Sequence, residues 1–279
     1  MTAGTGNPRF DALPASLKTT STLRRLAGVP AMVTLPAEDA RPAGGVVWMH
    51  GRTAHKEIDN GRFLRLMRAG YASVALDLPG HGQRAEPGRE HHDRTPGVLL
   101  EMLEELPGVI DAVRSDVPEI DADRLVIGGM SAGGMVAARA CCDAHPFLGL
   151  AMESSTGWLR KLYSMDIEDA DGPRGARSHS DEIVARVDAM AALEERRLDW
   201  RTVPVLALHS AIDRTVPLAC QTGFLDRVRS VYRERGDDPG LVELKTWPET
   251  GAPYEHAGFG RVAGEAKSVF LDFCRRAIG

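Results

Sequence analysis

Aromatic residues are scarce in this 279-residue chain, at 5%, and there are only four cysteines. Cys141 and Cys142 are adjacent, while Cys220 and Cys274 stand alone. With no C-x-x-C pair and no disulfide-scaffold density, the four read as small buried hydrophobes in a reducing compartment. A basic surplus is also missing. Lys plus Arg number 34 against 39 for Asp plus Glu, a net charge of −5. That excludes a general nucleic-acid binder, which offsets phosphate charge with a large excess of Lys and Arg. No apolar run approaches the roughly 18 residues of a membrane-spanning helix, so no membrane partner is expected. Residues 1–20 lack the basic and apolar regions of a secretory signal. A soluble, cytoplasmic chain is the expectation. Its 43% hydrophobic and 26% charged residues are those of an ordinary globular protein.

What is present is a series of short apolar runs. Thr22 to Pro36 breaks at Gly28–Val29–Pro30 and predicts two short strands in a hairpin. Gly45–Met49, Tyr71–Leu78, Leu125–Gly128, Leu148–Met152 and Val203–Leu208 read as buried strands, and the alternating Leu241–Trp247 as an edge strand. Between them lie helical stripes. Leu99, Leu103, Leu106, Ile110, Val113 and Val117 step by three and four, with Pro107 expected to kink or split the helix. Val262, Ala266, Val269, Phe270 and Phe273 form a second stripe. Asp59 or Asn60 caps a third, with Phe63, Leu64 and Met67 inward and Gly70 closing it. Buried strands alternating with amphipathic helices imply a mostly parallel, doubly wound α/β sheet with an antiparallel N-terminal edge. From about 153 to 201 no strand signal is visible. Ile183, Val187, Met190 and Leu193 keep helical spacing there, and the segment reads as a small lid insertion.

The sharpest chemical signal is Gly128-Gly129-Met130-Ser131-Ala132-Gly133-Gly134, after one apolar run and before an Ala-rich helix. G-x-S-x-G between strand and helix is a nucleophile-elbow pattern. A serine on so sharp a turn needs neighbours without bulk, and its hydroxyl then stands above a helix N-terminus that favours developing negative charge. With His50-Gly51-Arg52, Asp77-Leu78-Pro79-Gly80-His81-Gly82, Asp213-Arg214-Thr215-Val216-Pro217 and the Glu255-His256 loop, the chain resembles the α/β-hydrolase superfamily. Within it, the chain is similar to small serine esterases near dienelactone hydrolases and to the catalytic domain of prolyl oligopeptidases. The resemblance runs from about Thr22 to the C-terminus outside the lid. It implies an α/β-hydrolase domain over 21–279, an N-terminal extension over 1–20 and a lid over about 153–201.

The family's order of nucleophile, acid and base maps onto Ser131, Asp213 and His256. Asp213 follows an apolar strand, where a carboxylate can face a histidine from the next loop, although an Asp there can also serve as a turn cap. Among nine histidines, His256 lies between the last strand and the last helix. His50 and His81 are expected to organise loops, and His209 sits too close to Asp213 in sequence. His81, His91, His92 and Asp93 could be read as metal ligands, but their spacing matches no common site. The N–H groups of Ala132 and Arg52 are the expected oxyanion donors. The Arg52 guanidinium either covers the site or recognises an anionic substrate group. Trp158, Leu162, Tyr163 and Met165 are expected either as an apolar roof over the acyl site or as packing for the insertion.

The implied activity is hydrolysis of a small-molecule carboxylic ester through an acyl-enzyme, with no cofactor or metal. A peptidase of the prolyl-oligopeptidase type and a non-catalytic binder on the same fold are the rivals. Oligomeric state has no signature in the sequence.

Overall fold

In the computed structural model, which describes residues 6–36, 43–169, 172–175, 181–195 and 201–279, two short helices lead into the sheet. They are α1 (Pro8–Asp11) and α2 (Ala15–Thr20), whose Phe10, Leu13 and Leu17 are buried in the core. The predicted hairpin follows as β1 (Ser21–Leu26) and β2 (Val29–Thr34), antiparallel with Leu26 opposite Val29. Its two turn residues, Ala27 and Gly28, have φ of 48° and 88°. Positive φ at both centres is the type I′ geometry whose twist matches paired strands.

The apolar runs become β3 (Ala43–Met49), β4 (Ala72–Leu76), β5 (Ile120–Met130) and β6 (Gly149–Glu153). Between them stand α3 (Asn60–Arg68), α4 (Thr95–Asp116) and α5 (Ala132–Ala140). Within the insertion lie α6 (Leu159–Tyr163), the paired β7 (Ile167–Asp169) and β8 (Gly172–Arg174), α7 (Asp181–Val187) and α8 (Ala189–Glu195). The chain ends with β9 (Val205–Ser210), α9 (Leu218–Arg235), β10 (Val242–Trp247) and α10 (Ala263–Ile278). The main sheet has eight strands in the order β1-β2-β4-β3-β5-β6-β9-β10. From β4 to β10 every pairing is parallel, whereas β1–β2 and β2–β4 are antiparallel. This is the α/β-hydrolase arrangement that the resemblance implies. Successive residues enter opposite layers: Val47 and Ile127 lie in the core under α4 and α5, while Val46, Trp48 and Val126 lie in the core with α3 and α10. Both faces are buried, which is why these strands read as continuous apolar runs.

Four expectations need correction. Pro107 does not split the helix but lies inside α4, of 22 residues, because the helix buries Leu99, Met102, Leu106, Ile110 and Val113 against the sheet. Packing along its whole length outweighs the hydrogen bond lost at proline. The insertion does contain strands. Those of β7 and β8 are three residues each, too short for a periodic signal. Its helical stripe is two helices broken at Asp188, whose carboxylate accepts the N–H of Met190 at 3.1 Å and of Arg160 at 3.2 Å. Val187, Met190 and Leu193 are buried as expected, but Val184 is buried in place of Ile183, which is exposed. In α3, likewise, Leu66 is buried with Phe63 and Met67, and Leu64 only partly. All four cysteines are buried and unpaired.

Candidate active site

The C-terminal ends of β3, β5, β6 and β9 converge where open α/β sheets bind ligands. The turn from β5 into α5 carries Ser131 at φ 49° and ψ −117°. A non-glycine residue held at such angles costs about 1–3 kcal/mol, so its surroundings must impose them. They do. The Ser131 N–H donates to Glu153 O at 2.8 Å, and Ser155 Oγ donates to Ser131 O at 2.7 Å. The turn closes so tightly that a Cβ on Gly129 would stand 2.3 Å from the Gly133 carbonyl carbon, and one on Gly133 would stand 2.2 Å from Met49 O. Only glycine fits either position.

His256 Nε2 lies 2.9 Å from Ser131 Oγ, and its Nδ1 lies 2.8 Å from Asp213 Oδ2. With Nδ1–H donating to the carboxylate, Nε2 is the acceptor facing the serine. The other oxygen, Asp213 Oδ1, accepts the N–H groups of Thr215 at 2.9 Å and Val216 at 2.8 Å. Asp213 therefore cannot turn away from the imidazole without breaking the loop. His209 is buried, its Nε2–H donating to Val216 O at 2.8 Å, and burial lowers its pKa, so it stands neutral behind the aspartate. Among the described residues, neither the Ala132 nor the Arg52 N–H makes a hydrogen bond. Both flank Ser131 in one small cavity.

The loop bearing His256 is held by its neighbour Glu255, which sequence reasoning passed over. This buried carboxylate accepts from Ser210 Oγ at 2.7 Å, Thr250 N at 2.6 Å, Thr250 Oγ1 at 2.8 Å and Gly251 N at 2.7 Å. Burial alone would raise its pKa. The Thr250 N–H and the other donors outweigh that and hold it at about 2. The histidine loop is thus fastened to the end of β9. Its only signal in sequence was adjacency to His256.

His50 closes the turn after β3, donating Nδ1–H to Gly51 O at 2.6 Å and accepting the Leu78 N–H on Nε2 at 3.1 Å. Burial lowers its pKa to about 4. The same loop is pinned by the buried Lys56, whose Nζ contacts Asp77 Oδ2 at 2.8 Å, Glu57 Oε1 at 2.9 Å and Gln83 Oε1 at 2.9 Å. The Arg52 guanidinium pairs with Asp169 of β7 at 3.0 Å and donates to Glu90 O at 3.3 Å. It ties the insertion to the loop after β3. His92 contacts Arg174 and Asp93. Among the described residues, no three His, Cys, Asp or Glu side chains gather as a metal site.

Two cavities adjoin Ser131. One of about 490 Å³ includes Trp48, Met130, His256 and Phe259 in its lining, with the charged group Asp59, Arg62, Glu153 and Lys267. Arg62 is buried, its Nη2 2.6 Å from both Glu153 oxygens and its Nε 2.6 Å from Asp59. Its guanidinium stacks on Trp48 at 3.9 Å and Phe270 at 4.3 Å. The second cavity holds about 30 Å³. Of the four insertion residues named from sequence, Leu162 and Tyr163 line this small cavity, joined by Ile167. Trp158 and Met165 line neither. The Trp158 ring packs over Gly223 of α9, and Met165 Sδ lies 3.4 Å from Cys220 Sγ.

Comparison with known proteins places these observations in context. The family described as Serine aminopeptidase, S33, matches residues 40–173. YitV of Bacillus subtilis, provisionally named an esterase, is 25% identical over 81% of this chain and 96% of its own. A monoacylglycerol lipase of Mycolicibacterium smegmatis is 26% identical over 80% of this chain and 89% of its own. The acylaminoacyl peptidase of Pyrococcus horikoshii superposes with a TM-score of 0.69 at 17% identity, over 92% of this chain but 42% of that one.

Proposed function

Starting from a chain that has the α/β-hydrolase fold, we propose that it cleaves carboxylic esters of small molecules with Ser131 as nucleophile, His256 as general base and acid, and Asp213 as the group that orients the imidazole. The observation that supports this reading is the hydrogen-bonded chain from Ser131 Oγ through His256 to Asp213, at 2.9 and 2.8 Å, on a strained glycine-walled turn. Neutral His256 takes the Ser131 proton on Nε2 as Oγ adds to the ester carbonyl. The carbonyl oxygen becomes an oxyanion facing the Ala132 N–H at the start of α5 and the Arg52 N–H in the loop after β3. Collapse breaks the bond to the alcohol oxygen, which leaves with the proton from His256. Water then repeats the sequence on the acyl-enzyme, giving the carboxylic acid and free Ser131.

The match to the family described as Serine aminopeptidase, S33, supplies a second reading, amide cleavage next to a free amino terminus. A substrate ammonium would need an unengaged carboxylate near the serine. The three carboxylates lining the large cavity are already taken: Asp59 and Glu153 by Arg62, and Asp169 by Arg52 and Arg174. Ester cleavage is therefore the better fit. Ser131→Ala should lower kcat on p-nitrophenyl acetate by about 10³–10⁶ while the thermal midpoint holds. Asp213→Asn should lower it by about 10⁴ through the wrong imidazole tautomer. Ser131→Ala turnover within tenfold of the parent overturns the assignment. Faster turnover of aminoacyl-p-nitroanilides than of nitrophenyl esters would favour the peptidase reading.

A further inference from the structure

The two cavities at Ser131 differ in volume by more than tenfold, about 490 Å³ against about 30 Å³. They also differ in which reacting groups they contain. His256 and the loop after it line the large cavity and are absent from the small one. Ala132 lines the small cavity and is absent from the large one. Accepting the acyl-enzyme reading above, this asymmetry assigns the two halves of the substrate. The alcohol oxygen must meet His256 Nε2 to collect its proton, so the alcohol lies on the His256 side. The oxyanion faces the Ala132 and Arg52 N–H groups, which both line the small cavity. The acyl half therefore enters the small cavity together with its oxyanion. We propose that this chain selects esters of an acetyl-sized acyl group on a bulky alcohol.

The small cavity sets the limit. One water requires roughly 10–15 Å³ of such space, so 30 Å³ takes the carbonyl oxygen and a methyl group and little more. Its walls are Met135 of α5, Leu162 and Tyr163 of α6, Ile167 of β7, and Val216, all buried and all part of the main core cluster. A close-packed wall does not open freely, because each displaced side chain must find another place in a dense core. The insertion that supplies three of these walls is fastened at the same spot. The Glu168 N–H donates to Arg214 O at 2.9 Å, Thr215 Oγ1 donates to Glu168 O at 2.7 Å, and Arg52 holds Asp169. The large cavity, in contrast, falls within the roughly 300–1,000 Å³ of small-molecule sites. Trp48 and Phe259 belong to its apolar lining, and the Asp59–Arg62–Glu153–Lys267 group gives it a polar wall.

The test is a matched ester series on the full chain. With 1-naphthol fixed as the alcohol, kcat/KM should fall about tenfold or more from acetate to butyrate, and octanoate should be turned over least. With acetate fixed, benzyl acetate should exceed methyl acetate. Leu162→Ala should raise the butyrate-to-acetate ratio about tenfold, and Ile167→Ala provides the same readout should the first variant fail to fold. Octanoate used as well as acetate by the parent overturns the proposal, as does an unchanged ratio in folded variants. Labelling by a small fluorophosphonate on the same preparations separates the two levels. Labelled Ser131 with a flat acyl-length profile removes the short-acyl proposal alone. Absence of both labelling and turnover removes the acyl-enzyme reading and the proposal with it.

Discussion

Side chains away from the reacting atoms decide how well the proposed base is presented, and Glu255 is the clearest case. It does not touch Ser131, yet its four accepted hydrogen bonds fasten the loop that carries His256. In Glu255→Gln an amide replaces one acceptor oxygen with a donor, which must then face N–H or O–H groups. The expected outcome is a loss of kcat of about 10-fold or more with a smaller change in KM, and partial recovery in Glu255→Asp. A merely stabilising role would lower the thermal midpoint and leave kcat of the folded fraction unchanged. Two buried histidines contribute to the acid limit in a different way. Burial lowers both His50 and His145 from 6.5 to about 4, with Arg201 adding to the effect at His145. Between those values the unfolded chain binds protons that the folded chain does not. Stability therefore falls as pH drops from about 6.5 towards 4, and these two groups add nothing further below that. Urea denaturation at pH 7, 5.5 and 4.5 reads the slope, and His145→Gln, remote from the cavities, should make it shallower.

At the level of elements, the insertion is the part whose attachment matters most. Asp169 on β7 accepts from Arg52 and Arg174, so one carboxylate joins the hairpin of β7 and β8 to the loop after β3. Asp169→Ala should speed limited proteolysis within the insertion, with little change in the global thermal midpoint, because such openings are local rather than whole-molecule events. Equal protease sensitivity in parent and variant would show that other contacts hold the hairpin. The same segment marks where the sequence was hardest to read. Strands buried on both faces were legible as apolar runs, and the hairpin of β1 and β2 from its Gly28 break. The three-residue β7 and β8 offered no period, and Asp188 divided a stripe that looked like one helix. Trp158 and Leu162 look alike in sequence, since both are apolar and near the site in chain order. The direction of α6 alone sends Leu162 to the cavity and the Trp158 ring to α9. Ser131, Asp213 and His256, which the fold brings into one hydrogen-bonded chain, were picked out by the strands they follow together with the order that the family resemblance implies. Glu255, Arg62 and Glu153 were not, because a charged residue in sequence announces a solvated face.

For the molecule as a whole, Arg62 ties the layer of α3 and α10 to the sheet. It reaches from α3 to Glu153 at the end of β6, and its guanidinium lies against both Trp48 of β3 and Phe270 of α10. Burial pushes the Glu153 carboxyl up, against the pull of Arg62. Arg62→Ala would strand that carboxylate in the core and remove the stacking, a loss of about 3–5 kcal/mol for one partner of a buried pair. Replacing both partners is a different matter, since an apolar pair of similar volume is often neutral or better. Arg62→Met with Glu153→Leu should recover most of the stability lost in Arg62→Ala, as read by urea denaturation. The double variant also removes two charged side chains, Arg62 and Glu153, from the wall of the large cavity. If that cavity holds the alcohol, acetates of polyhydroxylated alcohols should lose kcat/KM relative to benzyl acetate, while the acetate-to-butyrate ratio stays where the parent has it. A change in acyl-length preference instead would place the acyl chain against Arg62 and reverse the assignment of the two cavities.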